Sequence, residues 1–179
     1  MRIILLPALL LLGAAPAALA TDLSASLGEN YRRFEGRTDL GPVDLSAGWT
    51  DRNGRGDVVD VGVGPSVGLG PLTVGVQAKG IYTRPVQGDG EIGAGLGASA
   101  SLGLIPGLLS AGVDASYAPG ELASGDRGDY RSASARLTAH VLPFLSVQGG
   151  YRIERMETRN GGGEADLAKG FFVGGALRF

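Results

Sequence analysis

The chain has 179 residues, with 16 Lys+Arg against 18 Asp+Glu and a net charge of −2. It has no Cys, which excludes disulfides and thiolate metal sites. The near-balanced charge, with no basic stripe, excludes the electrostatic footprint of a nucleic-acid binder. Gly is the unusual component, at 32 residues, and about half of the glycines fall inside alternating segments rather than in a low-complexity tract.

Residues 1–20 read as a secretory signal. Arg2 supplies the positive region, Ile3 to Leu12 the apolar core and Ala18-Leu19-Ala20 the cleavage site. That apolar run is shorter than the roughly 20 residues of a membrane-spanning helix. No Cys follows it to carry a lipid. The mature chain is expected to begin at Thr21 and to form one domain over 21–179.

In residues 21–42, Leu23, Ala25 and Leu27 alternate with Asp22, Ser24 and Ser26 before Tyr31-Arg32-Arg33-Phe34 interrupts the pattern. This stretch is an N-terminal hairpin turning at Gly28-Glu29-Asn30, or an extra segment outside the sheet. From residue 43 a period of two predicts eight strands: 43–51, 58–69, 72–83, 91–104, 108–117, 130–141, 144–155 and 171–179. In each, Val, Leu, Ile, Ala and aromatic residues face one way. Gly, Ser, Thr and charged residues face the other. Several segments exceed the soluble mean of about 5–6 residues. They match the roughly 9–11 residues of a tilted transmembrane strand. No segment after residue 20 has the continuous apolar run of a spanning helix. Alternation with weak overall hydropathy is the pattern of a transmembrane barrel.

The connectors alternate in kind. Gly70-Pro71, Ile105-Pro106-Gly107 and Leu142-Pro143 are tight, whereas 51–57, 84–90, 118–129 and 156–170 are long and polar. Outer-membrane barrels have short periplasmic turns and longer external loops, so the long connectors are expected outside. Trp49, Tyr82 and Tyr117 fall on apolar faces beside the long connectors. Tyr151 and Phe171 sit deeper on the same side, and Phe144 and Phe179 fall at the tight-turn ends. Two interfacial aromatic girdles are the expectation. The chain ends on a strand whose final residue is aromatic. By resemblance to bacterial outer-membrane barrels, Phe171, Val173, Leu177 and Phe179 form the terminal signature read by the barrel-insertion machinery.

The fold class is therefore all-β: an antiparallel transmembrane barrel with an even strand number. Ten strands are preferred and eight are the fallback. The chain resembles the YfaZ family of outer-membrane proteins. The matching stretches are Gly48-Trp49, Gly56-Asp57-Val58, Gly70-Pro71-Leu72, Thr73-Val74-Gly75, Lys79-Gly80-Ile81-Tyr82 with Pro85, Gly88-Asp89-Gly90, Tyr117-Ala118-Pro119 with Leu122, Ser124 and Gly125, and Gly150-Tyr151-Arg152. They occur in the family's order across most of the mature chain. The resemblance implies an outer-membrane barrel and brings no established activity.

The polar faces place Asp44, Asp60, Lys79, Glu91, Asp114, Arg136, His140, Arg152, Glu154 and Arg178 in the lumen. Such near-balanced charges are expected to pair, because an unpaired buried charge is costly. Structural filling is the preferred reading. A narrow polar conduit is the alternative, with Gly93, Gly95, Gly97, Ser99 and Ser101 leaving room for water. His140 is the single His and falls beside a tight turn, at the wrong end for a rim enzyme. Asp51 to Asp57 offers oxygen ligands without the ordered ligand series or bidentate Glu of a calcium loop. Arg55-Gly56-Asp57 spells an adhesion tripeptide that chance explains. Gly93-x-Gly95-x-Gly97 precedes no helix and is no nucleotide fingerprint. The expectation is a monomeric outer-membrane protein without catalytic site, cofactor or metal. It displays surface loops in a structural or interaction role, with a narrow porin-like channel as the alternative and a rim enzyme behind both. Its expected partners are the lipid bilayer and, during assembly, the insertion machinery.

Overall fold

A computed structural model of the chain describes residues 21–52, 56–84, 90–124, 127–158 and 164–179. The expected signal, residues 1–20, lies outside them, as do parts of all four long connectors. Ten antiparallel strands close into a barrel: β1 (Thr21–Gly28), β2 (Arg32–Asp39), β3 (Val43–Asp51), β4 (Asp57–Leu69), β5 (Leu72–Arg84), β6 (Glu91–Ile105), β7 (Leu109–Ala118), β8 (Arg127–Leu142), β9 (Leu145–Thr158) and β10 (Glu164–Arg178). Each strand pairs with its sequence neighbours, and β1 pairs with β10. Closure satisfies the backbone without an open edge, the condition for crossing hydrocarbon with strands.

Residues 21–42 form the hairpin β1–β2, which turns over Glu29–Tyr31 and brings the count to ten. The closing seam runs from Asp22↔Arg178 to Gly28↔Phe172. At its lower end Phe179 N–H donates to Thr21 O at 3.0 Å and Thr21 N–H to Phe179 O at 3.3 Å. Gly41, Gly70 and Gly107 hold φ of 78°, 67° and 70° in three of the turns at that end. A side chain would be strained in that conformation.

Two expected loops prove shorter. β8 begins at Arg127, and β10 begins at Glu164 rather than at 171. A bulge in β10 explains the second difference. The register passes from Asp166↔Arg155 to Ala168↔Glu154, so Leu167 is an extra residue. Leu167 and Ala168 are both buried. Two successive inward residues break the period of two, and the alternation cannot be followed through them.

The two faces of the wall differ as period-two strands require. Val59, Val61 and Val63 of β4, Val74 and Val76 of β5, and Val113 of β7 are exposed on the outside. Val58, Asp60, Thr83, Ser116, Ser134 and Glu154 are buried inside.

Candidate functional site in the barrel lumen

The interior divides into three levels along the barrel axis. At the long-loop end the inward positions are apolar. Val58, Ile81, Ala118, Tyr130 and Leu167 form one cluster, with Met156 packed against it. Tyr31, Ala168 and Phe172 form a second. Thr50 and Thr83 are fully buried at the same end. These residues come from β3, β4, β5, β7, β8, β9, β10 and the β1–β2 turn, and they fill this end of the lumen.

The middle level is ionic. Arg33 donates to both oxygens of Asp60, from Nη1 to Oδ2 at 2.8 Å and from Nη2 to Oδ1 at 3.2 Å. Its Nη1 also donates to Thr50 Oγ1 at 2.9 Å, and its Nε to Glu35 Oε2 at 3.1 Å. The Arg33 and Asp60 side chains are each 7% exposed. Lys79 Nζ lies 3.6 Å from Asp60 Oδ1. Glu35 also accepts from Arg37 Nη2 at 3.3 Å. Asp114 joins Arg37 Nη2 at 3.5 Å to Arg136 Nη1 and accepts from Ser134 Oγ at 3.3 Å. A bidentate guanidinium–carboxylate pair with further donors is the arrangement that offsets the desolvation of buried charge.

Glycine makes the central pair possible. Arg33 on β2 reaches Asp60 on β4 across the intervening β3, over Gly48. A Cβ at Gly48 would stand 2.6 Å from Asp60 Oδ2 and 2.7 Å from Arg33 Cζ. Gly62 is bridged in the same way by the Ser46–Gln77 hydrogen bond of 3.0 Å. Gly97 lies under the Lys79 stem, whose Cε would be 2.9 Å from a Cβ there. The space beside Gly48 and Gly62 is taken by side chains reaching over a strand, and that beside Gly97 by the Lys79 stem of the neighbouring strand.

The third level, toward the short turns, is a polar cavity of about 200 Å³. Arg37, Arg136 and Arg152 line it, and Arg178 and Asp22 stand at its mouth. Arg178 Nε and Nη2 donate to the two Asp22 oxygens at 2.8 and 3.1 Å. His140 also lines it, with Nδ1 sharing a hydrogen bond of 2.8 Å with Ser146 Oγ and Nε2 standing 3.5 Å from Ser110 Oγ.

The structure thus brings Asp60, Lys79, Asp114 and Arg136 into the ionic level. Arg152 and Glu154 lie at its border, 3.8 Å apart. Asp44 is on the inward side of β3 near the short turns, opposite Asp39. Glu91 opens β6 at the long-loop rim, where its backbone oxygen accepts from Thr83 Oγ1 at 3.5 Å. Glu91 and Arg178 therefore stand at opposite ends, apart from the cluster. Sequence reasoning missed Arg33, Glu35 and Arg37, which occupy alternate positions of β2. Their period of two was the available signal, obscured by Arg32 beside Arg33. It also missed the apolar level, which is visible as Val58, Ile81, Ala118 and Tyr130 on otherwise polar faces near the long connectors.

On the outside, Phe34 stacks on Trp49 at 5.7 Å between ring centroids, and Tyr151 meets Phe171 edge-on at 5.1 Å. Tyr82, Tyr117, Phe144, Phe171 and Phe179 are exposed there, as are Val173 and Leu177. In the 51–57 connector, Asp51 and Asp57 are directly opposed across β3 and β4. Each holds an arginine: Arg32 Nε at 3.1 Å from Asp51 Oδ2, and Arg84 Nη2 at 2.7 Å from Asp57 Oδ2.

Comparison with known proteins places these features in context. A family profile described as "YfaZ precursor" matches residues 1–179. The Outer membrane protein YfaZ of Escherichia coli (strain K12) is 30% identical over 157 residues, covering 87% of this chain and 86% of that protein. Among solved structures, the NanC porin superposes with a TM-score of 0.51 at 11% identity, over 89% of this chain and 98% of that one. The outer membrane channel DcaP of Acinetobacter baumannii gives 0.50 at 9% identity. The match covers 87% of this chain and 54% of DcaP, so the chain spans about half of the length of that protein chain.

Proposed function

The chain belongs to the YfaZ family, and on that premise we propose that this outer-membrane barrel serves a structural or surface-interaction role with a closed lumen, rather than catalysis. The observation that carries the reading is the filled long-loop end. Val58 and Ile81, at 0% and 1% exposure, stand over the Arg33–Asp60 pair. Nothing larger than solvent passes a level packed to that degree. The long connectors face the outside and the short turns the periplasm, following the rule for such barrels. The barrel acts as a monomer. Its terminal strand is recognised by the insertion machinery, and residues 1–20 are removed on export.

A narrow porin-like channel is the second reading, favoured by the 200 Å³ polar cavity that already occupies the short-turn half. Planar-bilayer recording of the purified protein separates the two. The closed-lumen reading expects no steady conductance. Steady ohmic steps would establish the channel, and the apolar level would then have to be a gate. A rim enzyme is disfavoured because His140 lies among the short turns with Ser146 and Ser110, away from the long connectors.

A further inference from the structure

The cavity near the short turns holds more guanidinium donors than its acids use. Arg152 is the clearest case. Its side chain is 11% exposed, and its ion-pair contact is Glu154 Oε1 at 3.8 Å, beyond hydrogen-bond range. Its guanidinium carbon stands 5.9 Å from the centroid of Phe172. A guanidinium carries five N–H donors in a rigid fork. Leaving them unmatched in a buried place costs free energy. Arg37 bonds Glu35 and Asp114 through the single Nη2, and its buried Nε has no hydrogen-bond partner among the described residues. Arg136 reaches Asp114 through Nη1. All three side chains line the same cavity.

Four arginines (Arg37, Arg136, Arg152 and Arg178) and two acids (Asp22 and Glu35) line the cavity, while Asp114 and Glu154, the latter with a buried Oε2 that has no hydrogen-bond partner among the described residues, stand outside its lining. Asp114 is shared between Arg37 and Arg136, and Glu35 between Arg33 and Arg37. Asp22 is held at the mouth by Arg178. Above the cavity, the ionic and apolar levels block a way through.

We propose that this cavity is an oxyanion site. It takes the carboxylate or phosphate group of a small hydrophilic solute that enters between the short turns. Arg152 receives the group in the planar, two-point manner that guanidinium offers to oxyanions, and Arg37 and Arg136 complete the clamp. With the lumen closed the site is blind, and the solute leaves by the mouth through which it came; the arginine contacts themselves do not depend on that closure. The assignment does not rest on the proposed role of the whole barrel, because the cavity is the same whether or not the lumen conducts.

The test is calorimetric titration of the full-length folded barrel in detergent, with inorganic phosphate in one arm and acetate in the other. Ionic strength is held constant with chloride, so that screening does not change. Saturable binding is expected for at least one probe, and the responding arm identifies the oxyanion. Arg152→Gln and Arg37→Gln should each weaken it about tenfold, the effect of losing a charge-assisted contact. Arg84→Gln, at the opposite rim, should leave it unchanged. Heat-dependent gel mobility shows which variants are folded, and either of the two cavity variants suffices. Absence of saturable binding by wild type to both probes would overturn the site. So would binding that survives in a folded cavity variant, or an equal loss in Arg84→Gln.

Discussion

Asp60 accepts from Arg33 and lies beside Lys79, and Arg33 also donates to the hydroxyl oxygen of Thr50. Removing one member of such a pair leaves the other charged and buried. Asp60→Ala should therefore cost about 3–5 kcal/mol in chemical unfolding from lipid vesicles. The double variant Arg33→Met/Asp60→Leu removes both charges and should recover most of that loss. If the double variant is as unstable as the sum of the singles, the pair is not the unit described here. Gly48→Ala tests the same contact from beneath. Its methyl group would enter the space of the Asp60 carboxylate, and overpacking of this kind costs about 1–3 kcal/mol. Unchanged stability would mean that Arg33 reaches Asp60 by another path.

Among the strands, β6 presents the outward face most plainly. Leu96 lies near its middle and is 71% exposed. Leu96→Arg should cost roughly 2–4 kcal/mol if that position meets the bilayer midplane. An equally stable variant would reverse the assignment of faces. Just past the end of β10 the decisive residue is Phe179. Deleting Phe179 removes an outward ring and the pair of backbone hydrogen bonds to Thr21. The amount of heat-modifiable, membrane-extracted protein in cells should fall sharply. Amounts equal to wild type would remove both the terminal signature and the seam role from this residue.

The legibility of the strands follows from their regularity. The alternation of β3, β4 and β5 places their ends within a residue or so of those observed, because nothing interrupts their period. β10 was legible only after its bulge, since Leu167 and Ala168 turn inward in succession. The lumen was legible in kind but not in arrangement. Asp60, Lys79, Asp114 and Arg136 lie on polar faces by parity alone. Which carboxylate meets which arginine depends on strand register and on the reach across Gly48, and neither is encoded locally.

For the whole molecule, the exposed outer wall is the dominant fact. A barrel that shows Val61, Val76, Leu96, Val113, Leu137 and Phe171 to its surroundings has an apolar surface far beyond that of a soluble monomer. The protein should require detergent or lipid to stay dispersed, and its gel mobility should change on boiling. A mature protein that is soluble in water without detergent, with mobility indifferent to heat, would contradict the membrane assignment. The interior sets a complementary expectation. Its charges lie on eight of the ten strands (β1 to β5 and β7 to β9) besides Arg178 on β10, so loss of one pair should loosen the wall broadly rather than melt a single hairpin.

The mutual hydrogen bonds of Thr21 and Phe179 bring the first and last strands together so that residues 21–179 run around a ring. Such a ring can be reopened elsewhere. A circular permutant would join 179 to 21 through a short linker and begin at Pro71, with the secretory signal moved to the new start. It would keep every strand pair except the β4–β5 turn, at a place where new termini are well tolerated. The aromatic end would then lie inside the sequence while the wall remained the same. Refolding in detergent would report on the geometry of the ring, and yield in cells on whether the machinery needs Phe179 at a free carboxyl end. Closure and the proposed recognition, both assigned to one residue in the natural order, would thereby be measured apart.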